Sequence, residues 1–458
     1  MAAFDLALSR VREDSNHFLL PARINQLARS SGHGFRDTKL NPGITLRLFA
    51  QQIANGNIAC SAMTHLAGFD FSDTAWCQAR QRLPTELIEQ VSREMIDDAR
   101  NELNQTNDVG NGDYRWRGHR TFVVDGSTDS MPDAPELREH YGVPLPCRPG
   151  LGFPMSHLLL LMDHRSGLVI DCMDSPMYTS DMSQTPPMHA HLHKGDIIIA
   201  DDAFAGWAHL ALILQANLHA VMPAQHRRRI DFTPNRPGAN PRKGKSSNNV
   251  GKPRSKILRS LGTNDQIVEY PKPPEKPAWI DPQLWDSLPP SITVREVRRT
   301  IRRNGFRPIT VTIVTTLLDA ELYPANELID LRLSRWMIET NLRHLKVTLG
   351  MDILKCKTLD GVRKERLMFL LVYNMIRRVM LIAARSQHVN VYRLSFADTL
   401  AWLRLGDITM ISEIKINPLR PGRLEPRVRK RPKKQFPYMT IPRAQLKAQL
   451  RATHCDTA

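Results

Sequence analysis

The first 110 residues of the chain carry hydrophobic side chains at helical spacing. Leu46, Phe49 and Ile53 recur along one stretch, and the segment "LPTELIEQVSREMIDDARNELNQ" repeats the same period farther on. Proline and glycine separate these stretches, as they do at helix boundaries. We therefore expect residues 1–110 to form an all-helical module that ends near the polar segment "NQTNDVGNGD".

From residue 120 onward, the apolar residues form short runs that are typical of strands. "RTFVVDGS" predicts a strand that stops at an Asp-Gly turn, and "HLLLLMDHRSGLVIDCM" predicts two strands joined by a tight turn. "KGDIIIADDAF" predicts a fourth strand that ends in acids, and "LHAVMPA" predicts a fifth after a helix. Strands that begin as a meander and then alternate with helices predict a mixed sheet flanked by helices.

Residues 223–323 interrupt this alternation. Their first part is basic and rich in Pro and Gly, whereas "SITVREVRRTIRR" and "FRPITVTIVTTLL" predict a hairpin around the Asn-Gly pair at 304–305. Helical periodicity returns in "PANELIDLRLSRWMIETNLRHLKVTLG". The predicted order is a helical module, a first part of a core, a basic β-rich insertion, a second part of the core, and a C-terminal helical segment with a basic tail. The predicted boundaries are 1–110, 120–222, 223–323, 324–390 and 391–458.

The charge of the chain is strongly positive. It has 63 Lys and Arg against 46 Asp and Glu, a formal net charge of +17. The excess is concentrated in residues 226–259 and 415–447, each of which contains 11 Lys or Arg and one acid. Such runs can be solvated surface only, but cations interspersed with Pro and Gly favour segments that follow phosphates. The charge therefore favours nucleic acid over a membrane as partner.

Several kinds of site and location are disfavoured by the sequence. The six cysteines form no CxxC pair, which disfavours a zinc site and a disulfide framework. The apolar stretch 367–384 is interrupted by Asn374, Arg377 and Arg378, so we expect a core helix and no membrane span. The absence of a GxxxxGK[ST] motif disfavours an ATP-driven enzyme. No signal segment is evident at the N-terminus, and we expect a cytoplasmic location.

Two acidic residues are expected at strand ends of the mixed sheet. Asp125 ends the first predicted strand and Asp201 ends the fourth, and catalytic groups gather at strand ends in such sheets. Paired carboxylates repel one another, so a divalent cation such as Mg²⁺ or Mn²⁺ would stabilise them. The alternative is that each Asp only caps a turn.

A third acid, Glu339, lies among cations in a predicted helix. Arg332, Arg335, Arg343 and Lys346 stand four or seven residues away on either side, which are spacings of one helical face. This pattern is typical of an exposed face with salt bridges. It is also compatible with a site that binds phosphates around one carboxylate.

Apolar residues on the same helix, Trp336 among them, indicate that it is also packed, so we expect the basic stripe to face a cleft. A metal-ligating carboxylate between phosphate-binding cations is the arrangement that phosphoryl transfer on a nucleic acid requires. The cation polarises the phosphate and activates a hydroxyl, while basic side chains hold the strands.

Three segments, "VVDGST", "GDIIIADDAF" and "RWMIETNLRHLK", resemble the motifs of the DDE transposases of bacterial insertion sequences, of the insertion sequence 4 type. The signature of that family near the last acid is Tyr, two residues, Arg, three residues, Glu, six residues, Lys. Arg335, Glu339 and Lys346 match it, whereas Arg332 stands at the Tyr position and Asp202 stands where the family often has a basic residue. The resemblance covers roughly residues 40–445.

The resemblance implies an RNase H-like core, interrupted by a β-rich insertion before the last acid. It implies a transposase that cleaves DNA at the inverted repeats of its element and directs the 3′-OH at target DNA, as a homodimer on double-stranded DNA. It also implies that two Mg²⁺ or Mn²⁺ ions are held by three acids: Asp125, Asp201 and Glu339. The phosphates beside the scissile bond would contact three cations: Arg335, Arg343 and Lys346.

Two other functions stay open at this point. One is a nuclease on the same scaffold, which cuts but does not join DNA. The other is a DNA-binding protein derived from a transposase that has lost catalysis, an alternative that the departures at Arg332 and Asp202 keep open.

Overall fold

The structure, a computed structural model, describes residues 17–144, 151–226, 228–233, 255–302, 308–405, 414–419 and 441–455. Helices form the N-terminal part, as the hydrophobic period predicted. Pro42 stands at the first position of the second helix, and the Asn41 side chain accepts a hydrogen bond from the amide of Ile44 as its N-cap. The helices of this part are α1 (Pro21–Ser30), α2 (Pro42–Ala54), α3 (Met63–Ala67), α4 (Asp73–Arg82) and α5 (Thr85–Thr106).

Nine strands of the described chain form one sheet in the order β3-β2-β1-β4-β5-β9-β8-β7-β6. Five of them come from the predicted core: β1 (Thr121–Ser130), β2 (Met155–Asp163), β3 (Val169–Pro176), β4 (Ile197–Ile199) and β5 (His219–Pro223). The other four come from the predicted insertion: β6 (Lys256–Gly262), β7 (Asp265–Pro271), β8 (Ser291–Ile301) and β9 (Ile309–Thr315).

The pairing directions confirm the predicted RNase H-like mixed sheet. β1 pairs antiparallel with β2 and parallel with β4, and β4 pairs parallel with β5. The insertion does not form a separate sheet, because β9 pairs antiparallel with β5 and continues the same sheet outward. The prediction of a β-rich insertion in a mixed α/β fold is therefore confirmed, and its strands extend the core.

The remaining helices flank the sheet or follow it. They are α6 (Pro135–Tyr141), α7 (Asp181–Met188), α8 (Trp207–Gln215), α9 (Pro282–Ser287), α10 (Ala325–Ser334), α11 (Met337–Arg343), α12 (Leu359–Ser386), α13 (Phe396–Leu405) and α14 (Arg443–Cys455). Short 3₁₀ turns occur at His17–Leu19, Cys60–Ala62, His189–His191, Asp202–Phe204 and Val391–Arg393, and a π-helical turn at His344–Thr348.

Helix α12 is the centre of the hydrophobic core. It is long and apolar enough to cross a membrane, but 89% of its most apolar window is buried inside the fold. The N-terminal helices α2 and α5 pack against it, as does β3 of the sheet. The helical module and the sheet therefore share one continuous core, although the domain boundaries given above stay predictions.

One strand prediction is wrong. We expected the first strand to stop at the Asp-Gly pair, but β1 continues through Ser130, so that Asp125 lies in the middle of the strand. The reason is the antiparallel partner, because β2 pairs with β1 from Phe122 to Ser130 and extends it past the sequence of a typical turn. Two other features lie outside the described residues, namely the Asn-Gly pair at 304–305 and most of both basic segments.

A buried ion-pair network joins β1 and β3 to helix α12. The Arg366 guanidinium donates to Asp129, whose side chain is fully buried, and also contacts Asp174 at 3.0 Å. Burial by itself would raise the pKa of Asp174, but the Arg366 charge overcomes this effect and holds the pKa below its usual range. One guanidinium therefore forms ion pairs with two carboxylates inside the fold.

We expect Arg366→Met to lower the free energy of unfolding by about 3–5 kcal/mol, because it leaves buried carboxylates without a counter-ion. Urea unfolding of the purified variant measures this loss. Arg117→Met is the matched control, because Arg117 and its partner Glu327 lie on the surface, where solvent screens an ion pair and its loss changes stability little. Equal losses in the two variants would contradict the role given to the network.

Candidate active site and nucleic-acid interface

The parallel pairing of β1 with β4 brings Asp125 and Asp201 to the same level of the sheet. Val123 lies opposite Ile199 at the last paired position of these strands. Asp125 and Asp201 each follow two residues later, where the chain is still extended. Because residues two apart in an extended chain point to the same face, both carboxylates lie on one side, just past the end of the ladder.

Electrostatics agree with this register. Burial raises the pKa of the Asp125 carboxyl above its usual range, the Arg335 charge opposes that rise, and the negative charge of Asp201 adds to it. A carboxylate has such an effect only at short range. The Nη1 atom of Arg335 donates to Oδ2 of Asp125 at 3.0 Å, so one cation already stands between the strand and the helical layer.

The two adjacent acids after β4 differ in their surroundings. The Oδ1 atom of Asp201 accepts a hydrogen bond from the amide of Ala203 at 2.9 Å, which fixes its side chain at the start of a 3₁₀ turn. Asp202 instead contacts the exposed His226 ring at 2.9 Å. Asp201 is therefore the acid whose charge acts on Asp125, whereas Asp202 has a partner at the surface.

One face of β1 meets a row of cations. Asp125, Ser127 and Asp129 alternate along this face, opposite Leu160, Leu158 and Ser156 of β2. Asp125 accepts from Arg335, and the Oγ atom of Ser127 accepts from the ammonium of Lys346 at 3.1 Å. Asp129 accepts from Arg366. The strand thus contacts two of the three predicted phosphate-binding residues, Arg335 and Lys346, through its own polar side chains.

The helix that carries Glu339 is not continuous, contrary to the prediction of one helix through this segment. Helix α10 ends at Ser334, and the amides of Arg335 and Trp336 donate three residues back instead of four. Helix α11 then extends from Met337 to Arg343 and is followed by the π-helical turn that contains Lys346. Such tight and wide turns are frequent near functional sites.

Glu339 lies on α11, which packs against β1. Its carboxylate is exposed and has no hydrogen bond or ion pair to any residue that the structure describes. The described part of the chain contains no group of three or more His, Cys, Asp or Glu side chains at metal-binding spacing. The structure therefore brings Asp125 and Asp201 together and places Glu339 on the adjacent helix, without closing the three into one cluster.

Other residues of the predicted basic stripe lie in different surroundings. Trp336 was expected to be packed, but 57% of it is exposed, because the break in the helix turns it outward. Arg343 is exposed and has no ion pair with a described residue. Arg332 is half-buried, and the charges of Asp201 and Asp202 act on it, although burial and Arg335 together lower its pKa.

Two buried donors near these acids have no partner among the described residues. They are the Nε atoms of Arg332 and Arg335. Buried polar atoms without a partner are costly, so such donors are suited to an anionic ligand. The acids beside them offer only oxygen atoms, which Mg²⁺ and Mn²⁺ prefer. The residues present therefore fit a site for a divalent cation and a phosphate.

Sequence reasoning missed Ser127 and the pairing of Asp202 with His226. Ser127 could have been found, because it follows Asp125 by two residues and so shares its face of the strand. The pairing of Asp202 with His226 carries no sequence signal, because a loop brings the two residues together.

A groove of 600 Å³ lies on the N-terminal module, between the loop before α2 and helix α4. Arg36 and Arg82 line it together with His33 and Phe35, and the guanidinium of Arg29 lies 4.8 Å from the Phe35 ring. All three arginines are exposed and form no ion pair with a described residue. Arginines around an aromatic ring suit a nucleic acid.

Helix α5 of the same module has the opposite character. It carries six acids and two arginines, and three of its acids pair with arginines of other helices: Glu94 with Arg23, Asp98 with Arg378 and Glu102 with Arg385. The acids of α5 thus attach the module to α1 and α12. Helix α5 is therefore acidic as a whole, whereas the groove is lined by exposed arginines that form no ion pair with a described residue.

A sequence model described as "Transposase DDE domain" matches residues 116–375, more than half of the chain. The chain belongs to the family of DDE transposases of insertion sequences. The matched residues include β1, the insertion and most of α12, and leave the N-terminal helices outside. DDE transposase domains generally use divalent metal ions and act on DNA.

Two curated relatives come from Escherichia coli K12. The putative transposase InsZ is 28% identical over 154 residues, which are 33% of this chain and 49% of that protein. The transposase InsG of insertion sequence element IS4 is 24% identical over 337 residues, which are 71% of this chain and 65% of that protein. The chain thus spans about half to two thirds of the length of these relatives.

A solved structure, the piggyBac transposase synaptic complex with hairpin DNA, aligns with 88% of this chain and 76% of its own, at 10% identity and a TM-score of 0.38. This similarity is too low to transfer any residue role.

We expect Arg36→Ala and Arg82→Ala to weaken the binding of duplex DNA of any sequence and to reduce the slope of log affinity against log salt by about 1 each. Fluorescence anisotropy over a salt series measures both quantities. Arg93→Ala is the matched control, because Arg93 is exposed on the acidic helix α5 of the same module. A slope reduced as much by Arg93→Ala as by Arg36→Ala would show that the groove has no special part in binding.

Proposed function

We propose that this protein is a transposase that cleaves DNA at the inverted repeats of an insertion sequence and joins the freed 3′-OH to target DNA. The observation that carries the proposal is the register of β1 and β4, which places Asp125 beside Asp201 next to Arg335 and Lys346. Family membership supports the same reaction class.

In this proposal, Asp125, Asp201 and Glu339 hold divalent cations, Mg²⁺ or Mn²⁺, and two ions are expected. When bound, such ions activate the attacking hydroxyl and stabilise the leaving oxygen. The partial burial of Asp125 suits this use, because burial and the charge of Asp201 raise the pKa of its carboxyl and a bound cation would stabilise the ionised form. Glu339 completes the site when its carboxylate moves from the adjacent helix toward the two Asp residues. This movement breaks no hydrogen bond or ion pair with a described residue.

The cations of the helical layer hold the DNA strand at the acids. Lys346 and Arg335 bind phosphates on either side of the reacting one, and Arg343 extends the contact outward because its side chain is exposed. The free Nε of Arg335 allows it to donate to a phosphate while another nitrogen of the same side chain contacts Asp125. A guanidinium group binds two oxygen atoms of a phosphate or a carboxylate well because its N–H donors lie in one plane.

The reaction needs no nucleotide cofactor. In cleavage, a water oxygen bonds to the phosphorus and the bond to the 3′ oxygen breaks, with the proton leaving on the 3′-OH. In joining, that 3′-OH attacks a phosphodiester of target DNA, and one phosphodiester bond replaces another. Each step conserves the number of bonds at phosphorus, so positioning and charge stabilisation are what the protein must supply.

The proposed partners and location follow from this substrate. Two element ends must be held at once, so we expect a homodimer on double-stranded DNA. The groove around Phe35 and the two basic segments would contact DNA outside the active site. We expect the protein to act in the cytoplasm, because its proposed DNA substrate lies there.

A DNA-binding protein without catalysis is the second candidate, because Asp202 stands where the family often has a basic residue. The structure gives Asp202 an exposed partner, His226, at 2.9 Å. A nuclease that cuts without joining is the third. Supplying precut element ends separates it from a transposase, because a nuclease does not join them to target DNA.

Two adjacent substitutions test the proposal. Asp201→Asn should reduce cleavage of terminal-repeat DNA by at least about 100-fold while DNA affinity stays the same, because the shape is kept and only a cation ligand is lost. Asp202→Asn is the matched control, the same chemical change one residue away, and should leave the cleavage rate within about threefold. Single-turnover cleavage in Mg²⁺ and a binding titration measure the two effects, with the DNA that flanks the gene as substrate.

The opposite result, loss of cleavage in Asp202→Asn only, would assign the metal-binding role to Asp202. Loss of DNA binding together with cleavage in Asp201→Asn would indicate a folding role for Asp201.

A further inference from the structure

A buried histidine joins the catalytic strand to the helical layer. His164 directly follows β2, and its ring lies inside the fold. Its Nδ1 atom is 3.1 Å from the hydroxyl of Thr121, the first residue of β1. Its Nε2 atom is 2.9 Å from the hydroxyl of Ser334, the last residue of α10. The ring thus spans two elements that are far apart in sequence.

The direction of each hydrogen bond follows from proton counting. The Ser334 hydroxyl also lies 2.6 Å from the carbonyl oxygen of Leu331, which can only accept. Its single proton is used there, so Ser334 accepts from Nε2–H of His164. The Nδ1 atom then accepts from the Thr121 hydroxyl. Burial and the nearby Arg165 lower the pKa of His164 to about 4, so the ring is neutral at neutral pH, as this arrangement needs.

The backbone of His164 is fixed as well. The amide of His164 donates to the carbonyl of Thr121 at 2.9 Å, and the carbonyl of His164 accepts from the Tyr392 hydroxyl at 2.7 Å. The ring therefore has a defined position relative to β1. Ser334, which is bonded to the Nε2 side of the ring, is therefore positioned relative to the same strand.

Ser334 is the residue immediately before Arg335, at the junction where helical hydrogen bonds shift from four residues to three. Thr121 lies on the same strand as Asp125. The bond between His164 and Ser334 therefore supports the ion pair of Arg335 with Asp125 from both of its ends. The junction also determines where α11, and with it Glu339, begins.

We propose that His164 is a positioning residue for the DNA cleavage site, whose Nε2–H bond to Ser334 fixes the α10–α11 junction against β1. This role rests on the proposed function for its effect on catalysis. A residue that only fills the core would be needed for stability alone, and the two roles differ in which ring nitrogen matters.

Substitution of His164 by asparagine or by glutamine distinguishes the roles of its two ring nitrogens. His164→Gln reaches the Nε2 position and keeps a donor for Ser334, whereas His164→Asn reaches only the Nδ1 position and keeps a partner for Thr121. Ser334→Ala removes the same bond from its other side. Thr121→Val removes the bond at Nδ1 and is the matched control on the strand.

We expect His164→Asn and Ser334→Ala to increase hydrogen exchange of the amides in residues 335–339, and His164→Gln and Thr121→Val to leave it unchanged. In single-turnover cleavage with Mg²⁺ and bound terminal-repeat DNA, the first two variants should be about 100-fold slower, the cost of a displacement of about 1 Å at a reacting site. Their DNA affinity should be unchanged, and the double variant should be no slower than either single one.

The proposal is overturned if Asn and Gln at position 164 change exchange and cleavage equally, in proportion to their unfolding midpoints, because His164 is then a core residue only. A wild-type protein that does not cleave DNA, with the exchange difference still present, would refute the proposed function and leave the positioning role standing. Unchanged exchange in Ser334→Ala would refute the positioning role whatever the activity.

Discussion

The parallel pairing of β1 with β4 is the constraint on which the candidate site depends. It ends at Val123 and Ile199, and the two acids that follow are left side by side without further backbone partners between their strands. The negative charges of these two carboxylates repel each other, and the positive charge of Arg335, in the helical layer, offsets part of this repulsion. The sheet therefore creates a local excess of negative charge that only cations can stabilise, whether from a side chain or from solution.

The rest of the fold is arranged around that strand. The face of β1 that carries Asp125 also carries Ser127 and Asp129, and each of these binds a cation from a different part of the helical layer. Arg366 provides the most buried of these contacts, and His164 adds a neutral link nearby. These polar contacts favour one arrangement of helix and strand, because another arrangement would leave buried charges such as Asp129 and Arg366 unpaired.

The N-terminal helices contribute through packing and through charge. Helices α2 and α5 share the core of α12, so the module that carries the arginine groove packs in one core with the sheet. Three of the six acids of α5 pair with arginines of other helices, whereas the arginines around Phe35 form no ion pair with a described residue. The insertion extends the sheet at its far edge, and the long separation of Asp201 from Glu339 in sequence is bridged by β5 and β9.

The sequence by itself determined the type of most elements, because alternation and helical period are local properties. It also predicted a role for Asp125, Asp201 and Glu339, because the motifs around these acids resemble those of a known family. Tertiary structure decided what depends on distant partners. β2 carried β1 past its Asp-Gly pair, and the break at Ser334 exposed Trp336. The partner of His164 was likewise set by packing, because a hydrogen bond between residues 170 positions apart has no local pattern.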